Sequence, residues 1–179
     1  MKAILLLSVC ILLCARQSSG QVGTPDAATN TIYAELGGHG MFVSLNYERT
    51  VSGPVLLRIG LSEWSACGWT GECNHTTAVP IGASYLIGGL PELLGGGRGR
   101  WIELGAGLIP GWKGSGRGEV ENRNLFVSVG GSAGLRRQPP EGGVMFRAAL
   151  TPVLTLGTDD GFPSRGFMLF GGISLGYAF

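Results

Sequence analysis

Apolar and polar positions alternate along most of this chain, and the alternation is clearest near its end. Leu169, Gly171, Ile173, Leu175, Tyr177 and Phe179 fall on one face of an extended strand, and Phe170, Gly172, Ser174, Gly176 and Ala178 fall on the other, because side chains in a strand alternate with period two. The same pattern predicts seven strands upstream. The first sets Ile32, Ala34 and Leu36 against Tyr33, Glu35 and Gly37. The second sets Val43, Leu45 and Tyr47 against Ser44, Asn46 and Glu48, and the third sets Val55, Leu57, Ile59 and Leu61 against Leu56, Arg58, Gly60 and Ser62. The fourth runs from Val79 to Ile87, with Pro80 costing one ladder hydrogen bond and predicting a bulge. In the fifth, Ile102, Leu104, Ala106 and Leu108 oppose Glu103, Gly105 and Gly107. In the sixth, Leu125, Val127, Val129, Ala133 and Leu135 oppose Phe126, Ser128, Gly130, Ser132, Gly134 and Arg136. The seventh sets Val144, Phe146, Ala148 and Leu150 against Met145, Arg147, Ala149 and Thr151.

Composition changes what these strands mean. Hydrophobic residues make up 44% of the chain and charged residues only 14%, which is apolar for a soluble domain, yet beyond the extreme N-terminus no apolar run reaches helix length. Apolar residues dealt out on alternate strand positions suit a sheet with lipid on one side, crossed by tilted strands of about 9–11 residues. The opposite face is mostly glycine, serine and alanine, as a narrow eight-stranded interior requires. A secreted soluble barrel would turn the apolar face inward, but its outer face would then need solvated Lys, Glu and Thr that this sequence does not supply. The expected fold is therefore an all-β, eight-stranded antiparallel up-and-down transmembrane β-barrel. The connections after strands three, five and seven are long and belong outside, with Trp64 to Thr76, Lys113 to Arg123 and Gly157 to Arg165 as outer loops; the twelve-residue connection Gly88 to Gly99 after strand four and the very short first loop are exceptions to the pattern. Tyr47, Tyr85, Trp101, Phe146, Tyr177 and Phe179 fall near one set of strand ends and Phe42, Trp64 and Trp112 near the other, matching interfacial aromatic girdles.

Charge and candidate chemistry sharpen the interior. Glu35, Glu48 and Glu103 share the inner face with Arg58, Arg136 and Arg147. Turning one arginine into lipid costs about 2–4 kcal/mol at the midplane, so these six residues specify the register and, paired, form an interior charge network that leaves no continuous ion pore. Above them the inner face is small, at Gly60, Gly82, Gly105, Gly107, Gly130 and Gly172, which admits either a cavity or close packing. The net charge of +1 gives no footprint for nucleic acid. Met1 to Gly20 carries one early lysine and a short apolar core, as a signal peptide does, and residues 21–30 form a polar, flexible lead to a barrel over 31–179. Export leaves Cys67 and Cys73, read as a disulfide closing a short outer loop. Cys67, Cys73 and His75 fit no common zinc spacing, so no metal and no cofactor are expected. His39 and His75 sit in predicted outer loops, with Ser44 and Ser62 as positional partners, and a histidine in a polar loop is ordinarily solvated.

The closing strand, with its terminal aromatic, resembles that of bacterial outer-membrane barrels. The phrases Ala34-Glu35-Leu36-Gly37-Gly38, Glu103-Leu104-Gly105-Ala106-Gly107, Phe146-Arg147-Ala148-Ala149-Leu150-Thr151-Pro152 and Gly172-Ile173-Ser174-Leu175-Gly176-Tyr177 resemble small uncharacterised outer-membrane proteins of Bacteroidetes-type bacteria. The resemblance implies the outer membrane as location, its lipid as surroundings, and Tyr177 and Phe179 as the signal read by the barrel-assembly machinery. It brings no activity with it. A structural or surface-interaction role through the outer loops and an extracellular ligand is the first expectation. The second is a lipid-binding or lipid-modifying barrel acting at its outer mouth near His39 and His75.

Overall fold

A computed structural model of the protein describes residues 28–67, 73–87, 99–115, 122–156 and 166–179. The strands are β1 (Asn30–Gly37), β2 (Val43–Ser52), β3 (Val55–Cys67), β4 (Cys73–Ala78), β5 (Ile81–Ile87), β6 (Arg100–Ser115), β7 (Asn122–Arg137), β8 (Gly143–Leu156) and β9 (Gly166–Ala178). Neighbours in the chain pair antiparallel, except that β4 and β5 do not pair with each other but both pair with β3 and β6; β1 pairs with β9, so the sheet closes on itself. The segments read as a signal peptide and as most of the lead lie outside the described residues. Ala28 to Asn30, the end of that lead, are bonded to the barrel: the Thr50 amide donates to the Thr29 carbonyl at 2.8 Å, and Gln138 Nε2 donates to the Ala28 carbonyl at 3.0 Å.

Although β4 and β5 are separate ladders, they form one barrel strand. Ser62 opposes Ala78 and Ile59 opposes Ile81, so both segments pair with β3 in one register, and the same holds against β6. Pro80 interrupts the ladder because it lacks an N–H, but the bulge expected there is absent. Its carbonyl still accepts from Gly60 N at 2.7 Å, and Val79 N donates to Pro110 O at 2.9 Å. The barrel is thus eight-stranded.

The stagger of this barrel can be read rung by rung. From Tyr177, successive partners are Ile32, Tyr47, Ile59, Ile81, Leu108, Val129, Leu154 and then Phe167, which lies ten residues before Tyr177 on β9. All nine of these residues face outward and are apolar. Closing a sheet requires such an offset, with strands tilted by about 35–45°. The inner face carries the polar set instead: Glu35, Ser44, Asn46, Glu48, Arg58, Ser84, Glu103, Ser128, Arg136, Arg147, Thr151 and Ser174 are all buried.

Three hairpins differ from expectation, two in one direction and one in the other. The predicted outer loop from Trp64 to Thr76 is largely strand, because β3 continues to Cys67 and β4 begins at Cys73. Likewise Lys113 to Ser115 extend β6 and Asn122 begins β7, so the paired strands run past the last apolar outward residues. The β1–β2 connection is instead drawn into the barrel. Gly37 and Gly38 take φ of 75° and 64°, a left-handed backbone that glycine adopts without Cβ strain. A single 3-10 turn, Gly38–Gly40, then folds inward and is buried.

Candidate functional site

Among the described residues the barrel interior gathers most of the charged side chains, and its middle is ionic. Arg136 and Arg147 are direct cross-strand partners on β7 and β8, an arrangement of like charges that destabilises a sheet unless something neutralises it. Glu103 on β6 does so. Its Oε2 lies 3.1 Å from Arg136 Nη1 and its Oε1 lies 3.0 Å from Arg147 Nε and 3.0 Å from Ser84 Oγ. Beyond Arg136, Glu48 on β2 lies 2.5 Å from Nη2. Beyond Arg147, Glu35 on β1 accepts from Nη1 at 2.6 Å and from Ser174 at 3.4 Å. These paired side chains are 0–1% exposed. Arg58 on β3 stands apart from the carboxylate contacts. It donates from Nη1 to the Tyr33 hydroxyl at 3.3 Å, and its Nη2 lies 2.7 Å from His39 Nδ1. All six charged residues named from the sequence are therefore inside. With Ser84 on β5 and Ser174 on β9, every one of the eight barrel strands contributes to this layer.

His39 is placed quite differently from a solvated loop residue. The inward 3-10 turn buries it to 1% exposure, and its ring fills the space that the missing side chain of Gly130 leaves: a Cβ there would come within 3.2 Å of Nε2. Because a guanidinium only donates, Nδ1 must accept from Arg58, which puts the ring proton on Nε2. Neither positional serine is its partner. Ser44 accepts from Asn46 Nδ2 at 2.8 Å, and Ser62 donates to the carbonyls of Gly40 and Val43 at 2.7 and 2.6 Å.

Apolar layers lie on both sides of the ionic one, and sequence reading missed both. Toward the end where β1 begins, Leu56, Leu86, Met145 and Ala178 are buried. Toward the other end, Met41, Trp64, Ala78, Ile109, Phe126 and Val153 form one cluster, with Phe170 against it. The small inner residues are closely approached by neighbouring side chains and backbone. Gly60 abuts Asn46 and Pro80, Gly111 abuts Phe126, and Gly172 abuts Gly38. Trp64, expected in an outward girdle, belongs to this inner cluster, its ring 5.6 Å from that of Phe42. A hollow of about 660 Å³ lies on the outward wall, where Leu36, Leu150 and Ile173 frame Ala133, Ala148 and Gly171.

The remaining candidates sit at the barrel ends. Tyr177 and Phe179 are outward and exposed, and the backbone of Phe179 exchanges hydrogen bonds with Asn30 at 2.8 and 2.9 Å. Cys67 and Cys73 are direct partners at the last rung of β3 and β4; their side chains lie outside the described residues. His75 is exposed on β4 and hydrogen-bonded to Ser65 rather than to Ser44 or Ser62. Among the described residues no group of three or more His, Cys, Asp or Glu side chains is arranged to hold a metal ion.

No family model and no curated protein sequence matches this chain. Solved structures do. The N-terminal β-barrel domain of Pseudomonas aeruginosa OprF is similar with a TM-score of 0.57 at 16% identity, over 88% of this chain and 100% of that one. Neisserial surface protein A, NspA, is similar with a TM-score of 0.52 at 10% identity, over 84% of this chain and 92% of that one. At such identities the likeness is one of fold. The chain has the eight-stranded antiparallel architecture of the transmembrane β-barrels.

Proposed function

We propose that this protein is an outer-membrane β-barrel of structural or surface-interaction type with a closed interior. One observation carries the reading: an ionic layer reached by all eight strands, its paired side chains 0–1% exposed, crosses the middle of the lumen. The outward apolar spiral supports immersion in lipid, since exposed Leu, Ile, Val and Phe on every strand would be a liability in water. The likeness to a protein named for the surface adds to this. In this reading residues 1–20 are removed on export, Tyr177 and Phe179 are read by the barrel-assembly machinery, and a Cys67–Cys73 disulfide closes the β3–β4 hairpin. The connections read from the sequence as outer loops, Trp64 to Thr76, Lys113 to Arg123 and Gly157 to Arg165, are the contact surface proposed for an extracellular ligand.

Planar-bilayer recording on the refolded chain tests the closed interior. The expected result is a baseline without large stable conductance steps, and steady steps would overturn it. The membrane reading is tested by gel migration in detergent, where boiling is expected to shift the band.

A further inference from the structure

The outer end of the β3–β4 hairpin holds a pair of side chains that a closed barrel does not need. Ser65 and His75 are direct register partners, both exposed, with Ser65 Oγ 2.7 Å from His75 Nδ1. Residues 57, 61, 63 and 65 form the outward, exposed row of β3, so the pair sits on the outside wall rather than in the lumen. Strand pairing on both sides of β4 holds it there, since His75 also opposes Gly114 of β6. A site on paired strands is held more closely than one on a loop. Below the pair the same wall passes through Glu63 and Thr77 and then turns apolar: Leu61 lies on β3, and Thr77 on β4 opposes Trp112, which in turn opposes Leu125. A lipid chain lying along these residues would bring its ester carbonyl to the level of Ser65.

We propose that Ser65 and His75 are a nucleophile and general base that hydrolyse the acyl ester of a membrane lipid on the outer wall of the barrel. Ser65 Oγ attacks the carbonyl carbon while its proton passes to His75 Nδ1, in the tautomer carrying its own proton on Nε2. The tetrahedral intermediate collapses, the bond from carbonyl carbon to the lipid alcohol oxygen breaks, and that oxygen leaves as the alcohol with the proton from His75. Water, deprotonated by His75, then attacks the acyl-serine ester and releases the fatty acid, and Ser65 recovers its proton. Glu63 is a positioning residue. It opposes Thr77 and so stands diagonal to His75, about 7–8 Å away, a separation that long side chains span, and its carboxylate favours the imidazolium that forms.

The activity is additional to the closed barrel and stands or falls separately from it. The test uses the chain refolded in detergent, with a long-alkyl fluorophosphonate probe, a long-chain p-nitrophenyl ester, phosphatidylethanolamine vesicles and lipid A. Mass spectrometry is expected to find the phosphonate on Ser65, with fatty acid released from one of the two lipids, which identifies the source of the ester. Ser65→Ala should lose both signals, and His75→Ala and His75→Gln should lower hydrolysis by about 10²–10⁴-fold. Glu63→Gln should change the pH profile of hydrolysis with Ser65 still labelled; an unchanged profile removes Glu63 from the proposal. All of these residues are exposed near a hairpin end, so the boiling-dependent gel shift should persist in every variant. A folded barrel that is not labelled at Ser65, or hydrolysis indifferent to Ser65 or His75, overturns the proposal.

Discussion

The lumen of this barrel is filled by two kinds of matter, and they teach different things about how it is held. Its middle is ionic: Arg136, Arg147, Glu35, Glu48 and Glu103 contact one another through few, directional links. Its loop-end half is apolar: Met41, Trp64, Ile109, Phe126 and Val153 fill space without direction. Buried ion pairs are poor sources of stability relative to an apolar replacement, but breaking one leaves an uncompensated charge and is costly. An apolar layer degrades gradually, by the volume removed. The ionic layer therefore suits setting register, and the apolar layer suits closing the remaining space.

That contrast can be broken most strongly at Arg136, which alone joins Glu48 and Glu103. Arg136→Met should destabilise the refolded barrel by about 3–5 kcal/mol in urea titration, because two carboxylates lose their shared partner. Ile109→Ala in the apolar layer should cost about 2–5 kcal/mol, and the midpoint should recover with Ile109→Val in a way that no partial replacement at Arg136 can imitate. A double-mutant cycle on Arg147 and Glu35 should return a coupling of about 0.5–3 kcal/mol, whereas Arg147 with Ile109, which belong to different layers, should be additive. The smallest effect belongs to the outer wall. At Gly171 an added Cβ would meet nothing within 4 Å, and Gly171→Ala should change stability by no more than about 0.5 kcal/mol.

Legibility from sequence followed the same division. The faces of all eight barrel strands were readable because lipid outside and a narrow lumen impose opposite demands on alternate residues, and Glu103 or Arg147 could face only one way. Cross-strand partners were not readable. Nothing local says that Arg136 opposes Arg147, since that depends on the stagger of the closed sheet. The inward turn at His39 escaped because Gly37-Gly38 reads equally as an exposed turn; only the contact with Arg58 and the gap at Gly130 draw it inside. The β3–β4 hairpin was cut short for a related reason. Ser65, Asn74, His75 and Thr76 lie past the outward apolar row, where the alternation loses its contrast although the ladder continues. The Ser65–His75 pair is hidden with it, whereas Ser44 and Ser62, the serines nearest by position, are already engaged by the Asn46 side chain and by the carbonyls of Gly40 and Val43.

The ten-residue return of the rungs from Tyr177 to Phe167 makes the bore of this barrel an integer quantity. A slip of one residue on any strand would exchange its lumen and lipid faces, and the next permitted state is a step of two, with a different circumference. The wall therefore has no soft mode in which it swells slightly to admit a solute. In the closed-barrel reading, anything that passes or binds does so at the ends, on the outer wall, or by taking the ladder apart.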